Sequence, residues 1–480
     1  MGPFGVFAAF VLFVVAKSSE APTPPAKGSH TSMSPAKPQK PEAPYNVILI
    51  SFDTLRRDFV HAYGYPKRLT PTIDALARRG VKFLDAYANC GWTLPQHLTM
   101  ITGCEPIHHN VVHLQSENAL SPEIPTLAQL FQKAGYMCLG FGNWNGYGGS
   151  WGHGFSRGMS FYTNLFPFNN MMEQAVPMVR ETLRIVGKRP FFMYFHTNDT
   201  HEPFAPSEPY NSKYGTKYVN RYEGQIDYAD HYLGVMLEDL RKLGLGERTL
   251  IAFTSDHGSE FEEHGYLEKK FNLYDEIMRV PLILTLPGVL PQGKDVAGFV
   301  QSADIAPTIL DVCSIEIPKT MDGRSLAAQI AGSRKGVPDV VFAHTKHEMM
   351  FYYESFAART ARYKYIRTTP MIKDPEKLEG RGNVGQRYER LNRLARQRGG
   401  VYLELYDLAK DPGEQRNVVD EKPAVARDLD ARINAWIRRH KFEAVKPLKP
   451  SDPDPLPSFQ AGARAHAQAA SRAATGNPFL

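Results

Sequence analysis

From Asn46 onward, short unbroken apolar runs alternate with stretches of helical period. NVILISF (Asn46 to Phe52) is continuous and of strand length, as expected of a parallel strand buried on both faces. TPTIDALARRG follows as a helix: Thr70 stands at its cap, Pro71 in its first turn and Gly80 at its end. VKFLDAYA is the next strand. The cycle repeats with PTLAQLFQKAG and YMCLGFGN, then with a helix before RPFFMYFHTND. It continues through YADHYLGVMLEDLRKLG and RTLIAFTSDHG, and ends with VPLILTLPG and SADIAPTILDVC. This alternation predicts an α/β fold over residues 45–335, with a central mostly parallel sheet and helices on both faces. Ligands are expected at the carboxyl ends of its strands. From Gly336 the pattern changes. VVFAHTK, FAARTARYKYIRT and VYLELYDLAKDPGEQRNVV read as short antiparallel strands, and AVARDLDARINAWIRRH as a closing helix. A small C-terminal α+β subdomain is therefore predicted over 336–447.

The two ends are of another character. GPFGVFAAFVLFVVA (Gly2 to Ala16) is apolar but short for a membrane span. Residues 1–16 are read as a signal peptide or a signal anchor, which implies an exported protein: periplasmic, extracellular or anchored on the outer membrane face. Residues 17–44, rich in Pro, Ser and Lys, are a linker, and 448–480 a tail; neither composition can bury enough apolar surface to fold. A net charge of +6 over 480 residues, without a dense Lys/Arg stripe, argues against a nucleic-acid partner. The cysteines are Cys90, Cys104, Cys138 and Cys313, with no CxxC pair, which excludes a zinc ribbon or a thioredoxin-type site. Cys138 reads as a small buried hydrophobe, and in an exported protein Cys90 and Cys104 could pair.

The candidate chemistry sits where strands end. Asp53 follows NVILISF, and Asp256 and His257 follow LIAFTS. Two carboxylates and an imidazole brought together suit a divalent cation. Taken singly, each is equally a cap or a loop charge. Thr93 lies in CGWTLPQHLTMITG, two residues ahead of Pro95, which would start a helix. It is either a plain helix cap or a hydroxyl whose ionisation is eased by helix-start amides and a metal.

SFDTLRRDFVHAYGY, TPTIDALARRGVKFLDAYAN and WTLPQHLTMITGCEP resemble, in order, the opening of bacterial sulfatases of the alkaline phosphatase superfamily. HTNDTHEPFAP, TSDHGSEFEEHG, NLYDEIMRVPLIL and ELYDLAKDPGEQRNVV are similar to later signatures of that family, again in order. The resemblance implies a metal-dependent ester hydrolase. It makes Asp53, Thr93, Asp256 and His257 metal ligands, with Thr93 also at the position of the nucleophile. A neighbouring family acid is replaced by Thr54. His201, in the HEP motif, matches a histidine that contacts the sulfuryl or phosphoryl group; Lys270 matches a lysine for the same group, with Lys269 equally well placed. His97 takes the place of the motif arginine, and Asn143 and Asn145 that of a Lys/His pair. Arg56 and Asn145 are expected to touch substrate. Sulfatases carry C-x-P-x-R or S-x-P-x-R, whose first residue becomes formylglycine. Here the motif is Thr93-Leu94-Pro95-Gln96-His97 and no formylglycine is expected. Cys104-Glu105-Pro106-Ile107-His108 only imitates it.

The implied function is cleavage of a sulfuric, phosphoric or phosphonic ester through attack by Thr93 and a covalent intermediate, on an anionic small molecule, glycan or lipid head group. One divalent metal is implied: calcium by resemblance, manganese or zinc from the Asp/Asp/His set. The acid–Thr–Asp–His set also resembles phosphoethanolamine and phosphoglycerol transferases, which use Thr. A non-catalytic binding module on a degenerate fold is the third reading.

Overall fold

The computed structural model describes residues 44–112, 118–142, 153–164, 170–265, 267, 272–347, 353–371, 390–391 and 393–446. The run predicted as the first strand is β1 (Asn46–Phe52), and every residue of it is buried. It lies between β5 (Phe191–Thr197) and β6 (Thr249–Ser255), parallel to both, and both are equally apolar and buried. This is the burial on two faces that a continuous apolar run needs. Outward from β5 come β3 (Met137–Gly142) and β4 (Phe161–Asn164). On the other side come β7 (Leu282–Thr285), β2 (Val81–Tyr87) and β8 (Lys294–Gln301). The order of the eight strands is β4-β3-β5-β1-β6-β7-β2-β8, and β7 alone runs against its neighbours.

Helices cover both faces. On one side α1 (Pro71–Arg79), α5 (Met171–Val186) and α6 (Tyr218–Lys242) bury Ile73, Val176, Leu183, Ile226 and Leu233 against Ile48, Ile50 and Phe253. On the other, α2 (Thr93–Thr102), α4 (Leu127–Lys133) and α7 (Ile305–Val312) border a second core around Val47, Leu49 and Ala252, while α3 (Pro106–His109) places Ile107 in a third, with Phe356 and Leu405. Alternate residues of β1 thus feed opposite cores, as the two-residue period of a strand requires. Two of these helices are capped from elsewhere. Asp230 accepts Thr72 N and Ile73 N at the start of α1, and Asp199 accepts Met171 N and Met172 N at the start of α5. Thr70 occupies the predicted cap position, but its hydroxyl serves His61 N instead.

A second sheet, antiparallel, has the order β12-β11-β10-β9. Its strands are β9 (Val340–His347), β10 (Tyr353–Thr360), β11 (Tyr363–Pro370) and β12 (Tyr402–Asp407). Helix α8 (Pro423–Arg439) packs Leu429, Ile433 and Trp436 on Phe356, Tyr365 and Leu405. The opposite face joins the main core through Val341, Ala343 and Ile366. No helix among the described residues is long and apolar enough to cross a membrane; the apolar run at 2–16 lies outside them. The four cysteines are free and buried, so Cys90 and Cys104 are not paired. Cys104 Sγ is instead 3.2 Å from Thr320 O, and burial pushes the Cys90 thiol up to about 12.

Candidate active site

Three adjacent parallel strands, β5, β1 and β6, end side by side, and their next residues meet. Asp53 leaves β1, with its amide bonded to Thr197 O of β5 (2.9 Å). Asp256 and His257 leave β6. Donor atoms of Asp53, Asp256 and His257 lie within 4.8 Å of one another, and all three residues are buried. Asp256 divides its two oxygens. Oδ1 accepts the amides of Thr54 (3.1 Å) and His257 (2.8 Å). Oδ2 faces the centre, 3.3 Å from Nε2 of both His257 and His97. Burial opposes its ionisation, but His257, His97 and His196 hold its carboxyl well below the usual range. The Nδ1 atom of His257 is bonded to Gly258 O (2.9 Å), so Nε2 is the nitrogen presented to the centre.

Thr93 completes the group, with Oγ1 3.3 Å from His257 Nε2 and the residue 3% exposed. The expected cap position is off by one turn element: Trp92 is the cap residue, and Thr93 already lies inside α2. Pro95 therefore falls in the first turn rather than at its first position. The approach to Thr93 is tight. A Cβ on Gly91 would stand 2.6 Å from Asn272 O, so only glycine lets that backbone pass two residues before the hydroxyl.

Residues 45–315 match the Sulfatase family, and 262–379 match the C-terminal region of N-sulphoglucosamine sulphohydrolase. The chain belongs to the sulfatase family. A Δ4,5-hexuronate-2-O-sulfatase of Bacteroides thetaiotaomicron is 26% identical over 456 residues, covering 82% of this chain and 89% of that protein. Arylsulfatase A of Bos taurus is 24% identical, covering 85% and 90%. Among solved structures, the phosphonate monoester hydrolase of Agrobacterium radiobacter superposes with a TM-score of 0.67 at 21% identity, over 82% of this chain and 96% of that one. A structure solved with its substrate D-glucosamine-2-N,6-O-disulfate gives 0.65 at 17%, over 83% and 98%. These relatives are ester hydrolases.

Sulfatase-family proteins depend on a metal, and the cluster at Asp53, Asp256 and His257 has the donors to hold one. Two buried carboxylates facing one centre with an imidazole nitrogen are a cation's donor set. Thr54 is not part of it. Its hydroxyl donates to Thr200 O (2.5 Å), and its carbonyl accepts Tyr222 OH (2.8 Å). Those bonds hold Thr54 at φ +60°, a left-handed conformation costly for a β-branched residue, of order 1–3 kcal/mol.

The structure separates the other expected site residues. His97 is fully buried beneath the cluster: its Nε2 faces Asp256, and its Nδ1 is bonded to Tyr194 OH. His201 lies one residue beyond Thr200, whose hydroxyl donates to Asp53 O (2.6 Å). Its Nδ1 is bonded to Glu202 O (2.5 Å). Arg56 is turned away, paired with Asp58 and Glu263 and bonded to Ser259 O, between the rings of Phe59 and Phe261. It lines a cavity of about 250 Å³ with Asp58, Glu276 and Arg279, and none of Asp53, Asp256 and His257 borders that cavity. A side chain so engaged holds the loops rather than a substrate. Lys269, Lys270, Asn143 and Asn145 lie outside the described residues.

Two residues of the site went unnoticed in the sequence. Asn198 donates to Asp53 Oδ2 (3.0 Å), and His196 Nε2 is 3.7 Å from the same oxygen. The His196 ring packs edge-on against His97 with centroids 4.2 Å apart. Burial, and then His97, push His196 down to about 3, so it is neutral. The available signal was position: HTND ends the apolar run of β5 just as Asp53 ends β1.

Proposed function

We propose that this sulfatase-family protein is a metal-dependent hydrolase of phosphoric or phosphonic esters with Thr93 as its nucleophile. The observation that carries the reading is the Thr93 hydroxyl at 3.3 Å from His257 Nε2, inside the Asp53–Asp256–His257 cluster. Asp53, Asp256 and His257 would hold the cation, which when bound supplies Lewis-acid stabilisation and lowers the cost of ionising a nearby hydroxyl. The first turn of α2 adds its backbone amides to that effect. Oγ1 forms a bond to phosphorus while the bond to the ester oxygen breaks, and the departing alcohol takes up the Thr93 proton. Water then attacks the phosphothreonine, the Oγ1–phosphorus bond breaks, and Thr93 regains its proton. His201 and Lys270, with Lys269 as the alternative, offset charge on the non-bridging oxygens, and Asn145 contacts the substrate. We place the enzyme outside the cytoplasm, released or anchored by residues 1–16.

The threonine supports phosphorus over sulfur. A formylglycine hydrate expels sulfate by elimination from its gem-diol, whereas a threonine sulfate has no second hydroxyl on the same carbon. The curated relatives named as sulfatases keep sulfate ester cleavage as the second reading. The deciding experiment is hydrolysis of p-nitrophenyl sulfate, phosphate, phenylphosphonate and bis-phosphate esters under titration with manganese, zinc and calcium. Phosphorus esters should turn over, and Thr93→Ala should lower the rate on the order of 10³-fold or more. Sulfate turnover that survives Thr93→Ala removes Thr93 as nucleophile. Transfer of the phosphoryl group to an added alcohol in preference to water would make the protein a transferase. Silence on every ester with each metal would favour a binding module.

A further inference from the structure

We propose that Cys104, His108 and Asp322 form a second metal site, of zinc-class chemistry, backed by His440 at the end of α8. Three separate segments converge there. Cys104 and His108 lie four residues apart around the start of α3. The loop 318–323 is held against them by Asp322 N and Gly323 N, both bonded to Gly103 O at 2.9 and 3.0 Å. His440 is the residue that ends α8. Donor atoms of Cys104, His108 and Asp322 lie within 4.8 Å of one another, and so do those of Glu105, Asp322 and His440. Asp322 belongs to both groups. Its Oδ2 is 2.8 Å from His108 Nδ1, and its Oδ1 is 3.8 Å from His440 Nδ1.

Two ion pairs, His108 with Asp322 and His440 with Glu105, are the plainer description. It leaves the thiol its contacts with Thr320 O (3.2 Å) and Thr102 O (3.7 Å), neither of which calls for sulfur. Sulfur, an imidazole and a carboxylate form a three-donor set suited to zinc and its neighbours and unsuited to calcium, with the fourth position left to water. The orientation of His440 fits as well. Its Nε2 is 3.2 Å from Glu105 Oε2, which also accepts Trp436 Nε1 at 2.5 Å. That carboxylate fixes the tautomer and leaves Nδ1 facing Asp322 Oδ1, so His440 orients from its far side the carboxylate that would bind the ion. His108 is one-third exposed, which gives an ion a way in. On loading, Cys104 gives up its thiol proton and His108 its imidazolium proton, both to solvent. The site shares no ligand with the strand-end cluster.

Cobalt(II) and zinc(II) are the probes, added to full-length protein stripped with a chelator. Thiolate-to-cobalt charge transfer in the near ultraviolet reports only a site that contains sulfur, so the Asp53–Asp256–His257 cluster stays silent. The expected result is a band that saturates at about one ion per chain and is displaced by zinc. It should vanish in Cys104→Ser, and apparent affinity should fall about 10-fold or more in His108→Gln. His108→Gln, at a partly exposed position, carries the test should Cys104→Ser not fold. Zinc should also raise the melting temperature of the natural protein and not that of His108→Gln. Absence of the band, or a band unchanged in both variants, overturns the proposal.

Discussion

Two clusters of buried ionisable groups in this molecule are built from similar acids and do different things. At the strand ends, Asp53 and Asp256 are surrounded by the imidazoles of His257, His97 and His196 and the hydroxyl of Thr93. At the junction of the two sheets, Asp275 and Glu414 share Lys364, at 2.9 and 3.0 Å, and Arg359 adds a contact of 3.3 Å to Asp275. Burial works against the charge on Asp275, but Lys364, Arg359 and Arg279 hold its carboxyl low. Lys364 is raised by the same two acids, although burial opposes it. Permanent cations paired with the acids lock the second cluster as structure. Imidazoles and a hydroxyl leave the first with donors that a metal can use. The partners of a buried carboxylate, more than its burial, separate a site from a staple.

The comparison breaks most visibly on exchange of single members. Asp256→Asn keeps the Oδ1 acceptor for Thr54 N and His257 N but removes a ligand charge. Activity on the best ester should fall on the order of 10³-fold, with folding stability changed by about 1 kcal/mol or less. Lys364→Met should do the reverse: about 3–5 kcal/mol lost in urea unfolding, because two buried carboxylates lose their cation, while kcat per folded molecule is retained. Equal effects of both variants on stability would erase the distinction drawn between the clusters.

A smaller effect tests a carboxylate that neither binds a metal nor meets a cation. Burial pushes Asp230 up to about 7, and the amides of Thr72 and Ile73 work against that rise. Its unfolded pKa is about 3.9. The folded state therefore binds more protons between these values. The stability it contributes is complete below pH ~3.9 and declines as pH rises to about 7, by at most about 1.4 kcal/mol per pH unit. The stability gap between the natural protein and Asp230→Asn should narrow over that window. A gap independent of pH would mean that Asp230 is ionised in the fold throughout. The smallest effect concerns Thr54. Thr54→Gly relieves the left-handed strain but loses the hydroxyl bond to Thr200 O, so stability should move by less than about 1 kcal/mol. Activity should change little, because the backbone amide that bonds Asp256 Oδ1 is retained in glycine.

Strands β1, β5 and β6 and helices α1, α6 and α8 were legible because each is a continuous apolar run or a clean helical period. Asp53, Asp256 and His257 were legible because each directly follows such a run. His196 and Asn198 end a run in the same way, yet nothing local distinguishes them from loop polars; only the parallel pairing of β5 with β1 turns them toward Asp53. Thr93 was ambiguous between cap and nucleophile because both roles place a hydroxyl at a helix start, and its distance to His257 arises across 164 residues. Arg56 misled for the opposite reason. It sits three residues after Asp53 in sequence, but the turn at Thr54 sends it to Asp58 and Glu263.

By itself, then, the sequence determined the α/β class, the strand ends that carry acids and the family, since all of these are written in local runs and ordered motifs. The tertiary structure decided which of those acids share a centre, which helices are capped by distant aspartates, and that Cys104 lies with His108 and Asp322 instead of Cys90. Hydrophobic periodicity is a property of neighbours along the chain. Charge pairing and ligation depend on distances of a few ångströms between segments hundreds of residues apart, and only the packed sheet sets those.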